Sequence, residues 1–172
     1  MTVTPKTIAI VLAAGRGTRA GGSEPKQWQT VLGKPLLAWS LDAFLSHDDI
    51  DAVVLVHHPD DQDLIVQLPV SVRCLYGGAN RDDSVRCALE ALKEQAPDYV
   101  LIHDAARPCV TQSLISNCLK SMRAHGAAAP AVAVQDTLWR GGDTVEMIVD
   151  RDNLWRAQTP QCFSYPLIAK AH

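Results

Sequence analysis

The chain has 172 residues, 47% of them hydrophobic and 20% charged, with a formal net charge of -3. That length suits one domain with a sizeable apolar core. A charge so near neutral excludes the strongly basic face of a general nucleic-acid binder, whereas a small nucleotide needs only a local cationic patch.

Residues 8–12 (Ile-Ala-Ile-Val-Leu) are an apolar, β-branched run that predicts a buried strand. A loop follows at once, Ala13-Ala14-Gly15-Arg16-Gly17-Thr18-Arg19, and continues through Gly21-Gly22 to Pro25-Lys26-Gln27. Small residues let backbone N–H groups approach a ligand closely. Arg16, Arg19 and Lys26 add positive charge in the same short span. Together they ask for a polyanion, most simply a di- or triphosphate. The spacing is not the dinucleotide fingerprint, and no Gly-Lys-Ser/Thr follows. A Gly-rich turn with solvated charges is the plainer alternative. Position favours the ligand, because open α/β sheets bind at the carboxyl ends of their strands.

Pro35 opens a helix through residue 45, with Leu37, Leu41, Phe44 and Leu45 on its inner stripe. Residues 51–56 are the second strand. His57-His58-Pro59 ends it, and the two histidines read as surface positions rather than metal ligands. Residues 60–68 predict a short helix and residues 70–76 a third strand. Gly77-Gly78-Ala79-Asn80-Arg81 comes next, then a helix to residue 92 with Val85, Ala88, Leu89 and Leu92 inward. Arg81 and Ser84 sit near its start, where polar groups face a ligand; a simple turn has the same pattern. Residues 99–102 are the fourth strand, followed by His103-Asp104-Ala105-Ala106-Arg107-Pro108. Asp104 at a strand end suits a divalent cation whose shell is completed by phosphate oxygens. Pairing with Arg107, or capping nearby backbone, is the alternative. Residues 111–124 predict a helix capped by Thr111 and ended by Gly126, with Leu114, Ile115, Cys118, Leu119 and Met122 inward. Residues 127–134, small and apolar, read as a central strand.

The rhythm breaks at Gln135. Residues 136–140 and 145–150 read as two strands around a Gly-Gly-Asp turn, a hairpin signal. A lone hairpin is marginal in water. This one carries Trp139, Met147 and Ile148, so it is expected to pack on a second subunit. The last residues lie inside a helix begun at Ser164 and Pro166, so an incomplete C-terminus is expected. The five cysteines are scattered, lack metal-pair spacing, and read as reduced thiols of a cytoplasmic protein. No apolar run is long enough for an export signal or a membrane span, and neither membrane nor nucleic acid is an expected partner. The expected fold is α/β: a Rossmann-like, mostly parallel sheet with helices on both faces and a protruding β-hairpin dimerisation arm. Residues 1–172 form a single domain in this reading, with the arm at 135–153.

Ala13 to Arg19, Pro25-Lys26-Gln27, His103 to Pro108, Asp136-Thr137, Val149-Asp150-Arg151 and Thr159-Pro160-Gln161 together resemble the 2-C-methyl-D-erythritol 4-phosphate cytidylyltransferases. The resemblance implies transfer of a cytidylyl group from CTP to methylerythritol phosphate, with loss of pyrophosphate, in the non-mevalonate isoprenoid pathway. It implies that Ala13, Ala14, Gly15 and Gly17 wrap the triphosphate, while Arg19 and Lys26 stabilise charge at the α-phosphate and leaving group. Asp104 corresponds to the acid that contacts Mg²⁺ or another divalent cation. Gly78, Ala79 and Ser84 match the segment that recognises cytosine and ribose, and Ala105 joins the nucleotide-binding set. Thr137 and Arg151 match residues that hold the acceptor's phosphate from the neighbouring subunit of a homodimer. Ala79 departs from members with an acidic side chain there, which leaves backbone carbonyls to meet the cytosine amine. The family pattern continues past position 172, with a late lysine near the phosphates and, in some relatives, a fused cyclase domain. Three alternatives stand beside this reading. They are a cytidylyltransferase for ribitol 5-phosphate, a sugar-phosphate nucleotidyltransferase using UTP or GTP, and a non-catalytic nucleotide-binding fragment.

Overall fold

Branched residues run through β1 (Thr7–Ala13), whose two faces are both covered and whose edges are both paired. It is the hub of a computed structural model that describes residues 5–16, 25–68 and 72–172. A small hairpin, β2 (Thr30–Val31) and β3 (Lys34–Pro35), leads into α1 (Leu36–Leu45). Next come β4 (Ala52–His57), α2 (Gln62–Ile65), β5 (Arg73–Tyr76), α3 (Arg81–Leu92), β6 (Tyr99–Asp104) and α4 (Gln112–His125). The remainder is β7 (Ala127–Ala128), β8 (Ala131–Ala133), β9 (Leu138–Gly141), β10 (Val145–Val149), β11 (Trp155–Ala157), β12 (Gln161–Ser164) and α5 (Tyr165–Ala171).

The main sheet has the order β5-β4-β1-β6-β12-β7. Its first four strands are mutually parallel, and β12 runs antiparallel to both neighbours. The chain winds outward from β1 to β4 and β5, then returns to the far side of β1 as β6. Strand order therefore reverses between β1 and β6, and the connections diverge there and open a crevice at the carboxyl ends.

Side chains alternate across a strand with period two. Ala9, Val11 and Ala13 meet Leu37, Leu41 and Phe44 of α1 and Ile115, Leu119 and Met122 of α4. Ile8 and Ile10 meet Val85, Leu89 and Leu92 of α3 and Ile168 of α5. The result is a three-layer α/β/α core with helices on both faces, as expected. Each fully buried large apolar side chain contributes roughly 1.5–3 kcal/mol.

The helix ends follow the sequence signals. Thr111 accepts a hydrogen bond from the Leu114 N–H at 3.2 Å, and Gly126 closes α4 at φ +82°. Asn80 caps α3 through the Asp83 N–H at 2.9 Å. Ser164 sits at the start of α5 without a side-chain cap bond, and Pro166 occupies its first turn.

Several expectations need correction. Residues 127–134 are not a central strand. Pro130 lacks an N–H and splits the run, so β7 lies at the sheet edge while β8 pairs with β11 outside the main sheet. Leu45 is 44% exposed at the last residue of α1 and is not part of the inner stripe. His57 is buried, packed edge-on against Tyr76, and its Nδ1 donates to the His58 carbonyl at 2.8 Å. Residues 60–68 contain a 3-10 turn (Pro59–Asp61) and the short α2. The third strand starts at Arg73, and residues 69–71 lie outside the described residues.

The hairpin is present. β9 and β10 pair antiparallel with Trp139 opposite Ile148 and Arg140 opposite Met147. Trp139, Met147 and Ile148 are all at least half exposed in the single chain.

Candidate active site

A cleft of about 500 Å³ opens at the strand-order reversal, beyond the carboxyl ends of β1 and β6. Its first wall is the stretch after β1. Gln27, 5% exposed, donates from Nε2 to the carbonyls of Ala13 at 2.7 Å and Gly15 at 2.9 Å. In a trans peptide, C=O and N–H point opposite ways. The following N–H groups, of Ala14 and Arg16, are thereby turned away from Gln27. The neighbouring Trp28 anchors this staple by donating to Asp61 at 2.9 Å inside the core. Lys26 stands beside Gln27 and lines the cleft.

Arg16 also lines the cleft, but its charge is engaged. It donates to Asp61 at 2.7 Å and Asp60 at 2.9 Å, and contacts His58 Nδ1. Asp61 is only 2% exposed and shared with Trp28, so this pair fastens the loop to the segment after β4. Arg16 thus stands in the cleft wall with its guanidinium paired to two carboxylates. Gly17 and Arg19 lie outside the described residues.

The second wall is the turn after β5. A Cβ on Gly77 would fall 2.4 Å from Ala14 Cβ, and one on Gly78 would fall 2.3 Å from Asp83 Cβ. Both contacts are too close for any side chain; the first lets the two walls meet, and the second packs the turn onto the start of α3. Ser84 holds this turn together. Its hydroxyl donates to the Asn80 carbonyl at 2.9 Å and accepts from the Gly78 N–H at 3.1 Å.

The floor is the end of β6. Asp104 accepts Arg81 Nε on Oδ1 and Arg107 Nε on Oδ2, each at 3.1 Å. The pairing with Arg107 weighed at the sequence level is present, and Arg81 adds a second partner 23 residues away. The carboxylate still lines the cleft. Behind it, the Asp104 N–H donates to Thr159 Oγ1 at 3.3 Å, and Thr159 lies 2.9 Å from His103 Nδ1. The opposite nitrogen, Nε2, donates to the Arg107 carbonyl at 3.1 Å. Burial holds the His103 imidazole neutral, down to about 4 from an ordinary 6.5. A neutral ring with Nε2–H satisfies every partner in this chain. Among the described residues, no group of three or more His, Cys, Asp or Glu side chains gathers around a metal position.

The family described as IspD: 2-C-methyl-D-erythritol 4-phosphate cytidylyltransferase matches residues 7–172. A protein of that name from Cereibacter sphaeroides (strain KD131) is 50% identical over 171 residues, covering 96% of this chain and 76% of the relative. This chain belongs to the 2-C-methyl-D-erythritol 4-phosphate cytidylyltransferase family. The bifunctional enzyme IspD/IspF of Rhodospirillum rubrum is 48% identical over 172 residues, and there the chain spans 45% of the relative's length. A solved 4-diphosphocytidyl-2C-methyl-D-erythritol synthase from Anaerococcus prevotii superposes with a TM-score of 0.80 at 30% identity, over 97% of this chain and 73% of that one.

The cytidylyltransferase fold brings together Ala13, Ala14, Gly15, Lys26, Gly78, Ala79, Ser84, Asp104 and Ala105, all of which line the one cleft. Thr137 and Arg151 do not reach it. Both are exposed at the base of the hairpin, where Arg151 donates to the Gln135 carbonyl. Sequence reasoning quoted Gln27 without a role and missed the bond between Arg81 and Asp104. A side-chain amide just after a Gly-rich loop is a usable signal for the first. The second is a long-range contact with no local signature.

Proposed function

We propose that this protein transfers a cytidylyl group from CTP to 2-C-methyl-D-erythritol 4-phosphate, releasing pyrophosphate, in non-mevalonate isoprenoid precursor synthesis. The observation that carries this reading is convergence: four distant stretches bearing the family's nucleotide motifs line a single cleft at the strand-order reversal.

An oxygen of the acceptor's phosphate attacks the α-phosphorus of CTP. The bond from that phosphorus to the bridging oxygen breaks, and its electron pair leaves with pyrophosphate. The attacking phosphate is already anionic, so no general base is needed. The protein supplies placement and charge compensation. Ala13, Ala14 and Gly15 wrap the triphosphate, and the N–H groups of Ala14 and Arg16, turned away from Gln27, are presented to it. Arg19 and Lys26 meet charge that grows on the α-phosphate and leaving group, an interaction that accelerates only where it strengthens toward the transition state. Gly78, Ala79 and Ser84 enclose the nucleoside, with Ala105 beneath it. Since the Ser84 hydroxyl is committed to the turn, it shapes that wall more than it reads the base.

Asp104 is the one carboxylate among the described residues of the cleft lining. Mg²⁺ is commonly held by one or two carboxylates plus substrate phosphates, so this set fits a cation carried mainly by the triphosphate. When bound, such an ion neutralises phosphate charge and favours departure of pyrophosphate.

Thr137 and Arg151 act, in this reading, in the cleft of a second copy. The exposed Trp139 and Ile148, paired on one face of the 135–153 arm, and Met147 on the other face support a homodimer, because exposed apolar surface of this kind needs cover. Residues 1–172 work as a single nucleotidyltransferase domain. Five cysteines, all free, fit a cytoplasmic setting.

The test is pyrophosphate release with CTP, Mg²⁺ and either methylerythritol phosphate or ribitol 5-phosphate. Turnover with the first and little with the second is expected. Equal or better turnover with ribitol 5-phosphate, or preference for UTP or GTP, overturns the assignment.

A further inference from the structure

Asp104 is held on both oxygens, and each guanidinium holding it is itself anchored. Arg81 Nη2 donates to Gln161 Oε1 at 2.9 Å, and Arg107 Nη1 donates to Gln158 Oε1. Two positive charges against one carboxylate leave the group net cationic. A bare dication approaching it is repelled and must compete with an N–H donor on either oxygen. The two arginines are not equivalent. Arg107 lies three residues past Asp104 and is not part of the cleft lining, whereas Arg81 lines the cleft from the first residue of α3. The Arg81 side chain is 42% exposed on a flexible stem, so displacing it from Asp104 would leave the core undisturbed.

We infer that Arg81 is a stand-in cation for Asp104. In the nucleotide-free protein it occupies the carboxylate oxygen that a divalent ion takes, and it yields only to an ion that arrives with the triphosphate. The metal–triphosphate complex is a net dianion. It draws the guanidinium onto phosphate oxygens, which its planar fork fits, while the ion replaces it on the carboxylate. Asp104 exchanges one cation for another, and Arg81 exchanges one anion for another. Ion binding is thereby made conditional on nucleotide. The inference rests on the reading of Asp104 as the metal-bearing carboxylate.

The probe is Mn²⁺, followed by the electron paramagnetic resonance of the free ion, with and without CTP. Wild type, Arg81→Ala, Asp104→Asn and the double variant are compared. Without CTP, wild type and Asp104→Asn should bind Mn²⁺ equally weakly. Arg81→Ala should bind it at least about tenfold more tightly, the low end of what one adjacent unit charge does to a neighbouring equilibrium. The double variant should lose that gain, and Arg81→Lys, which keeps the charge, should stay near wild type. With CTP, Asp104→Asn should bind Mn²⁺ more weakly than wild type. Asp104-dependent Mn²⁺ binding by wild type without CTP, or no gain in Arg81→Ala, overturns the inference and leaves the role of Asp104 standing. A gain in Arg81→Lys equal to that in Arg81→Ala also overturns it, because packing rather than charge would then be responsible. If Asp104→Asn matches wild type with CTP present, both readings fall together.

Discussion

Removing the amide of Gln27 tests whether a single side chain sets the phosphate-facing wall. Gln27→Ala deletes two hydrogen bonds, to the carbonyls of Ala13 and Gly15. Each is worth about 1 kcal/mol net. The Gly15 carbonyl belongs to an exposed residue and regains water, but Ala13 is 2% exposed. Its carbonyl goes unsatisfied at a cost of about 1–3 kcal/mol. The expected loss is about 3 kcal/mol. For a chain of this size that lowers the melting temperature by about 6–12 °C. Gln27→Met fills the same space without donating, so it should lose nearly as much if hydrogen bonding is responsible and far less if packing is. Thermal unfolding followed by circular dichroism reads the stability. Steady-state kinetics should show the KM for CTP rising more than kcat falls, because the wall loosens without losing a charge. A melting temperature within about 2 °C of wild type in Gln27→Ala would refute the staple.

Lys26→Ala should lower turnover by about 10²–10³, the usual effect of deleting one group that meets transition-state charge. Normal turnover in folded Lys26→Ala protein removes that role. Ile148→Asp, which puts a charge opposite Trp139 on the arm, should convert the protein to monomers by light scattering with little change in melting temperature; an unchanged mass takes the arm out of the interface. Stability should be complete above pH 6.5 and fall as pH drops from 6.5 toward 4. The unfolded chain protonates His103 near its ordinary value, while burial keeps the folded ring neutral down to about 4. The shift is worth on the order of 3 kcal/mol. His103→Gln should flatten that part of the pH profile, and an unchanged acid limb assigns the loss to other groups.

The parallel half of the sheet is legible in the sequence because its strands are buried on both sides. Continuous runs such as residues 8–12 and 52–56 have no other stable home. α4 is equally plain, with a capping threonine, an apolar stripe and a terminal glycine. Beyond residue 126 the reading weakens. The run 127–134 looks uniform in composition, but the missing N–H of Pro130 decides the pairing and turns one expected strand into two short ones. His57 misleads because a polar residue at a strand end suggests solvent, yet the Tyr76 ring covers it. In the site, glycines, small residues and charges raise the expectation of a polyanion-binding loop, and that loop lines the cleft. Which partner each charge has is decided far along the chain: Asp61 takes Arg16, and Asp104 is met by Arg81. Periodicity and local motifs carry no record of such contacts.

Ala14 and Gly77 press together where the two loops meet, so side-chain volume there is a shared allowance. A library randomising either position alone should return almost nothing but the parental residue. Randomised together, the pair should still keep glycine at 77, because Ser84 Oγ lies 2.8 Å from any methyl added there and bars it from a second direction. Reshaping that wall of the cleft therefore has to begin elsewhere on the β5 turn than at Gly77.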